Sequence, residues 1–576
     1  MSRPREAVPA QEDVRTTGRG RRVVRPRSGP ATAAADRTRR GGAPLAGTGT
    51  LLRLALRRDR LMLPAWVLAL GLSVLATSSA LEKFYGTAAE RAGLVRSMTA
   101  DASLRSLYGP VFDASLGGLT AWRMVGFGGG LAAVMSLVIV VRHTRDEEES
   151  GRQELLSAAV VGRHAPLTAA LLAAAVANLA LAALVTAGLA GSGLPWRGAL
   201  ALGLALAGCG LAFAGVGAVT AQLCESGRAA KGLAGAAVGA AFVLRAAGDA
   251  ASTAATSPLT WLSPLGWGEH LRAFAGERWP VLLLFLAAAC LTCAAAYGLT
   301  ARRDLGTGLW ASRPGPARAS ARLAGPIGLA WRLQRGGLLG WVLAFAATGA
   351  IFGALTDGAA DLVGGSGQTR DIVTRMGGHQ GITDAFVSVT VGLLGTVATL
   401  HVVGAVARLH AEEASGRAEA VLAGSVSRLR WAAGHLSVAF LGSTLVLAAG
   451  GLTLGLGYGI STGDPLGRCG PPLLAVLAQV PAVWVLAGVA TLLLGVAPAG
   501  GDAQWLGWVA AAFVLAVGWL GQALRLPQAV LDLSPFTHLP KLPGGTVSAT
   551  PFLWLAAVTV TTTAAGLLAL RRRDVG

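Results

Sequence analysis

Long apolar runs separated by short polar stretches dominate this chain. A helix crossing a membrane needs about 20 mostly apolar residues, and twelve stretches qualify: 61–80, 119–141, 165–190, 197–223, 231–247, 279–300, 337–357, 383–406, 430–459, 471–496, 504–521 and 551–570. The fifth and eleventh are the shortest. The pattern predicts an all-α polytopic membrane protein with about 12 transmembrane helices. Of 576 residues, 53% are hydrophobic and 14% charged, against roughly 25% charged in soluble domains. Eighty glycines and abundant alanine suit helices packed backbone to backbone in lipid.

The pattern also repeats. Leu54–Trp66 (LALRRDRLMLPAW) matches Leu329–Trp341 (LAWRLQRGGLLGW), and RDEEESGRQELL at Arg145–Leu156 finds a partner in HAEEASGRAEAV, starting at His410. Leu262-Ser263-Pro264 matches Leu533-Ser534-Pro535, and Arg302-Arg303-Asp304-Leu305-Gly306 matches Arg572-Arg573-Asp574-Val575-Gly576. Four matches in one order indicate a parallel duplication of a six-span unit. The expected units are 51–308 and 325–576, joined by a cytoplasmic linker, 309–324, that is rich in Arg, Pro and Ala.

Charge sets the expected orientation. The formal net charge is +19, but residues 1–60 hold fifteen arginines against five acids, so about half the excess belongs to one segment. Residues 1–50 read as a disordered basic cytoplasmic arm able to touch anionic lipid headgroups, and nucleic acid is not an expected partner. Arg21-Arg22 resembles a twin-arginine export signal, yet no apolar region follows for almost forty residues. Loops carrying Arg142, Arg145, Arg152, Arg163 and Arg228, the run Arg302–Arg335, and then Arg408, Arg417 and Arg428 fall on one side, which the positive-inside bias makes cytoplasmic. An even span count places both termini there. Cys290 and Cys293 form a CxxC inside an apolar span, where structural thiols are the favoured reading.

The charged knots need a separate reason, because acids do little for topology. Both copies share an acidic pair, a Ser-Gly-Arg turn, a further Glu and a short apolar helix. In the first copy Ser150 is expected to cap that helix, with Gln153 closing a capping box; Ala418 replaces Gln153 in the second copy. Such an element would lie across the cytoplasmic face and present charge to solvent or a partner.

The double unit, the EE-x-SGR-x-E knots, the LSP loops and the RRD-[LV]-G tails resemble ABC-2-type transporter permeases. The similarity is greatest to the double-length actinobacterial group of polyketide-antibiotic exporters related to tetronasin-resistance permeases, and it covers 51–576. The resemblance implies coupling helices that dock on two copies of an ABC ATP-binding subunit, through Glu147, Glu148, Gly151, Arg152 and Glu154 in one half and Glu412, Glu413, Gly416, Arg417 and Glu419 in the other. It implies that segments 51–60 and 328–336 lie along the inner membrane surface. It also implies that the outer loops at Ser263-Pro264 and Ser534-Pro535 form short re-entrant helices. Ala414 stands where the first copy has Glu149, so the two docking surfaces differ.

No Walker A motif occurs: the only lysines are Lys83, Lys231 and Lys541, and none follows a suitable glycine loop. The chain is therefore expected to be no enzyme and to hold no cofactor or metal itself, with ATP and Mg on the partner subunit. The alternative is a proton-coupled secondary transporter of major-facilitator type, which requires a titratable group within the membrane. The expected spans have no carboxylate near mid-depth, and His401 and His435 are the candidates. Few polar side chains (Asn178, Gln222, Gln479, Gln522) interrupt the apolar interior, which suits a hydrophobic or amphipathic cargo; the resemblance adds polyketide-like antibiotics, export and a bacterial plasma-membrane location. Arg123 and Arg245, near outer span ends, are expected to snorkel.

Overall fold

A computed structural model describes residues 44–100, 102–153, 161–251, 257–304, 306–310, 320, 325–363, 378–497, 504–520, 527–545 and 547–572. Glu154, Gln522, most of the basic arm and linker, and the tail from Arg573 onward lie outside the described residues.

The described residues form helices joined by turns and loops, with no strand among them. Among the described residues, eleven helices are long and apolar enough to cross a membrane. The stretch at 504–521 forms a twelfth, shorter helix, Gln504–Leu520, whose apolar section is Leu506–Val517. The protein is a multi-pass membrane protein. In the first half the spans are Met62–Phe84, Leu116–Arg142, Ala165–Gly191, Trp196–Leu223, Gly227–Ala251 and Leu282–Thr300. In the second they are Pro326–Val363, Gly378–Ala414, Arg428–Thr462, Val480–Val496, Gln504–Leu520 and Ala549–Arg572.

Local chemistry fixes where helices start. The Ser115 hydroxyl accepts from the Gly118 amide at 3.1 Å and opens the second span, and Ser427 does the same for Arg430 at 3.3 Å before the ninth. Proline occupies the first turns at Pro166, Pro258 and Pro264, where no intrahelical N–H is missed.

Each half has its own apolar core, one running from Ala55 to Ala296 and the other from Leu338 to Leu555. Small residues set the closest helix approach. A Cβ placed on Gly349 would come within 2.2 Å of the Gly450 carbonyl, and one on Gly353 within 2.2 Å of the Leu454 carbonyl, so the seventh and ninth spans touch backbone to backbone. The halves meet where Leu355 packs with Met98, Leu107, Leu119 and Trp122. Met98 and Leu107 belong to two short helices, Ala88–Ala100 and Ala102–Tyr108, that follow the first span.

The two amphipathic segments differ. Thr48–Arg58 is a separate helix, ended at Asp59, whose buried carboxylate contacts Arg142 Nε at 3.1 Å and His143 Nε2 at 2.6 Å. Segment 328–336 is instead the first part of the continuous 38-residue helix Pro326–Val363. Gln334 stands at the position of Asp59 and bonds His435 at 3.2 Å without breaking the helix.

Candidate functional site

The first charged knot is a hub at one end of the bundle. The second span stops at Arg142, and a five-residue helix, Arg145–Glu149, follows. Its four consecutive acids serve different neighbours. Asp146 pairs with Lys231 at 2.6 Å and Glu149 accepts the Gly227 amide at 2.9 Å, both at the start of the fifth span. Glu147 pairs with Arg58 of the amphipathic helix and with Arg152 at 3.8 Å. Glu148 takes two bonds from Arg303, at 2.5 and 2.8 Å, and one from Arg145 at 2.8 Å, with only 4% of its side chain exposed. Arg145, itself buried, donates also to the carbonyls of Ala221 and Thr307.

Ser150 does not open the next helix as expected. It closes the preceding one, because the chain reverses at Gly151 in the left-handed region (φ 71°). The second half repeats this at Gly416, also φ 71°, which directly precedes the helix Arg417–Leu422. No neighbour lies within 4 Å of a Cβ at either glycine, so glycine is required there by the backbone angle alone.

The arginine after the turn reaches back to the first acid of the pair in both copies. Arg417 Nε lies 2.8 Å from Glu412 Oε2, as Arg152 Nε lies 3.8 Å from Glu147 Oε2. The second acid pairs three residues back: Glu148 with Arg145, and Glu413 with His410 at 3.9 Å. Hydrogen bonding to Glu412 holds the Arg417 guanidinium above its usual range, and the carboxylate of Glu149 from the other half adds to that attraction. The two turns are therefore electrostatic neighbours. Facing outward are Glu149, Ser150 and Arg152 in one half and Ala414, Ser415, Gly416, Arg417 and Glu419 in the other, whereas Glu148 and Glu412 are turned inward. Sequence reasoning missed Arg58, Arg145 and Arg303; the readable signal was that Arg303 recurs within the repeated RRD tail.

The LSP loops lie at the opposite end. Ser263 Oγ donates to the Ala241 carbonyl at 2.7 Å and accepts the Leu265 amide at 3.2 Å, and Pro264 begins the short helix Pro264–His270. Ser534 precedes a 3-10 turn, Pro535–His538, and its buried hydroxyl has no partner.

Beside the first loop, Arg245 does not snorkel. It is fully buried, 2.7 Å from Glu269 Oε1 and 3.3 Å from Asp249 Oδ2, and it donates to the carbonyls of Ser106 and Leu107. Burial pushes the Glu269 carboxyl above the usual carboxylate range, with Arg245 opposing. The cause is that the fifth span runs on to Ala251 and carries an acid one turn after the arginine. Arg123 lies 4.4 Å over the Tyr108 ring.

His401 is buried near Trp341, its Nε2 without a partner, and His435 bonds Gln334. Cys290 and Cys293 are unbonded thiols on the sixth span. Among the described residues no cluster of three His, Cys, Asp or Glu could hold a metal.

Two helical cores joined side by side, with matching charged turns at one end and proline-led loops at the other, define an all-α polytopic membrane protein. Residues 323–571 match the model of the family described as multidrug efflux system permease Rv1217c, C-terminal domain. The chain is 42% identical over 535 residues to the multidrug efflux system permease protein Rv1217c of Mycobacterium tuberculosis (strain ATCC 25618 / H37Rv), covering 93% of this chain and 96% of that protein. The chain belongs to this multidrug efflux permease family and is a transport component.

Proposed function

We propose that this chain is the transmembrane subunit of an ATP-driven ABC exporter for hydrophobic or amphipathic compounds, polyketide-like antibiotics among them. The observation that carries this reading is the pair of exposed turns, built alike around Gly151 and Gly416, at one end of a chain without a P-loop lysine. A separate ATP-binding subunit, in two copies, supplies ATP and Mg, and the chain itself holds no cofactor. That end is cytoplasmic, together with both termini. The outward-facing Arg152, Ser415, Arg417 and Glu419 make the contact, and the sequence pattern adds Glu154; Glu147, Glu148, Glu412 and Glu413 hold the turns to the spans. Closure of the ATP-binding pair pushes on the turns, and rigid-body motion carries the push through the second and eighth spans. The permease family and its efflux system support the transport direction.

The test is extraction of the tagged chain in mild detergent from its native membrane, with the stoichiometry of co-purifying subunits measured. Two ATP-binding subunits per chain, lost on charge reversal at Arg152 and Glu419, are expected. A chain that purifies alone, under conditions that preserve other membrane complexes, would overturn the reading.

A further inference from the structure

The two halves differ at the ends away from the charged turns. In the second half a cavity of about 590 Å³ lies between the eighth span, the start of the tenth and the LSP loop. In the first half the cavity beside Gly268 and Glu269, the residues that match Leu539 and Pro540, is about 20 Å³, little more than a single water.

The substitutions that open one side and close the other are readable by register. Counting from the charged turns, Val391 and Thr396 stand where the first half has Gly126 and Leu131; counting from the LSP serines, Pro540 stands where it has Glu269. Counting back from Cys224 and Ala497, the extended residues that close the fourth and tenth spans, Gln479 takes the place of buried Leu206. In the first half Arg245 presses against Gly126, 3.3 Å from where a Cβ would stand, and pairs with Glu269, so the ion cluster fills the space. The eleventh span, Gln504–Leu520, has no charged residue to do this.

What lines the cavity is chemically mixed. Val391, Leu393, Phe536 and Leu539 supply apolar wall. Gln479 is 5% exposed, and the Ser534 hydroxyl, 1% exposed, has no hydrogen-bond partner. A buried hydroxyl left unpaired costs free energy that an occupant's oxygen would recover. Lys541 stands at the rim. The volume lies within the range of small-molecule sites, roughly 300–1,000 Å³. From Glu412 the eighth span rises about 24 Å to Thr396 and about 36 Å to Ser388, so the cavity lies far above the charged turn.

We infer that this second-half cavity is a cargo site, one that the residues at the matching first-half positions do not reproduce. It accepts a neutral or anionic amphiphile whose oxygen functions meet Ser534 and Gln479, whose apolar body lies against Leu393 and Phe536, and whose acidic end, where there is one, meets Lys541. The inference deepens the exporter reading and rests on it for the word cargo, but binding itself requires neither ATP nor a partner.

The experiment uses the full chain in phosphatidylcholine nanodiscs and 11-(dansylamino)undecanoic acid, read by dansyl fluorescence, with its uncharged methyl ester alongside. Saturable binding is expected. Gln479→Leu with Thr396→Leu, which installs the first-half residues, weakens both probes at least tenfold; Ser534→Ala weakens both severalfold; Lys541→Glu weakens the acid but not the ester. The last two changes are small or peripheral and keep the test interpretable where the double variant fails to fold. Equal affinity in every folded variant overturns the site and leaves the exporter reading standing. Normal binding without ATP-dependent transport does the reverse. A phospholipid retained one per chain, with dansyl binding seen only after its removal, assigns the cavity to lipid and overturns the cargo inference.

Discussion

Glu148 and Arg303, 155 residues apart in the chain, form a two-pronged ion pair at 2.5 and 2.8 Å that binds the end of the second span to the end of the sixth. With both side chains nearly excluded from solvent, removing one partner strands the other. Glu148→Lys should cost about 3–5 kcal/mol and lower the yield of folded protein in detergent. Glu419→Lys, on the exposed turn, should leave folding intact and reduce only association with an ATP-binding subunit. Size-exclusion yield and thermal unfolding separate the two; equal loss from both would refute the division between holding and docking residues.

Gly151 and Gly416 offer a cleaner perturbation, because a methyl group there meets nothing. The cost of Gly416→Ala is then the left-handed backbone alone, about 1–2 kcal/mol. Gly416→Asn should recover much of it, since asparagine tolerates that region. Hydrogen exchange across 411–424 reads this directly: faster exchange is expected for alanine and near-normal exchange for asparagine. Were alanine and asparagine to behave alike, the turn would not need its observed geometry.

The spans were legible because a bilayer demands about 20 apolar residues at a time; where each helix begins was not, as the seventh, expected from 337, starts at Pro326. The site was legible only as a motif. That Glu148 faces inward depends on Arg303, and nothing local to RDEEESGR announces so distant a partner. Likewise Arg245 was read as a snorkelling residue because its span was drawn to end at 247. Asp249, one helical turn on, was the local sign of an ion pair, while Glu269 comes from a loop whose docking no periodicity encodes. The Ser150 capping box failed for a related reason: the box pattern fits the residues, but a positive φ at Gly151 places the chain reversal one residue later.

His270 should make the loop end of the first half acid-sensitive. Its ring stacks on Trp261 (centroids 4.0 Å apart, planes at 6°) and shares a 2.9 Å hydrogen bond with Thr260. Burial, followed by Arg272 and Arg278, pushes its pKa down to about 4, against about 6.5 in an unfolded chain. A depressed folded value means the neutral ring is favoured on folding. The contribution is full above about pH 6.5 and is lost as pH falls toward 4. Trp261 fluorescence and melting temperature, followed from pH 7.5 to 4.5, should both fall, and His270→Gln should flatten the dependence. A wild-type profile matched by the glutamine variant would place the acid sensitivity elsewhere.

Arg245 gives the sharpest distinction between an interaction that stabilises and one that is merely costly to break. Arg245→Met leaves Asp249 and Glu269 facing a low-dielectric interior without their cation, and a loss of about 3–5 kcal/mol follows from the stranded carboxylates. If that is the whole cause, the triple change Arg245→Met, Asp249→Leu, Glu269→Met should regain most of the melting temperature, because no unpaired charge remains. The bonds from Arg245 to the Ser106 and Leu107 carbonyls are lost in both variants, so any deficit surviving in the triple variant measures how far the cluster anchors the short helix Ala102–Tyr108. A triple variant as unstable as the single one would mean that anchoring, rather than charge balance, is what the arginine supplies.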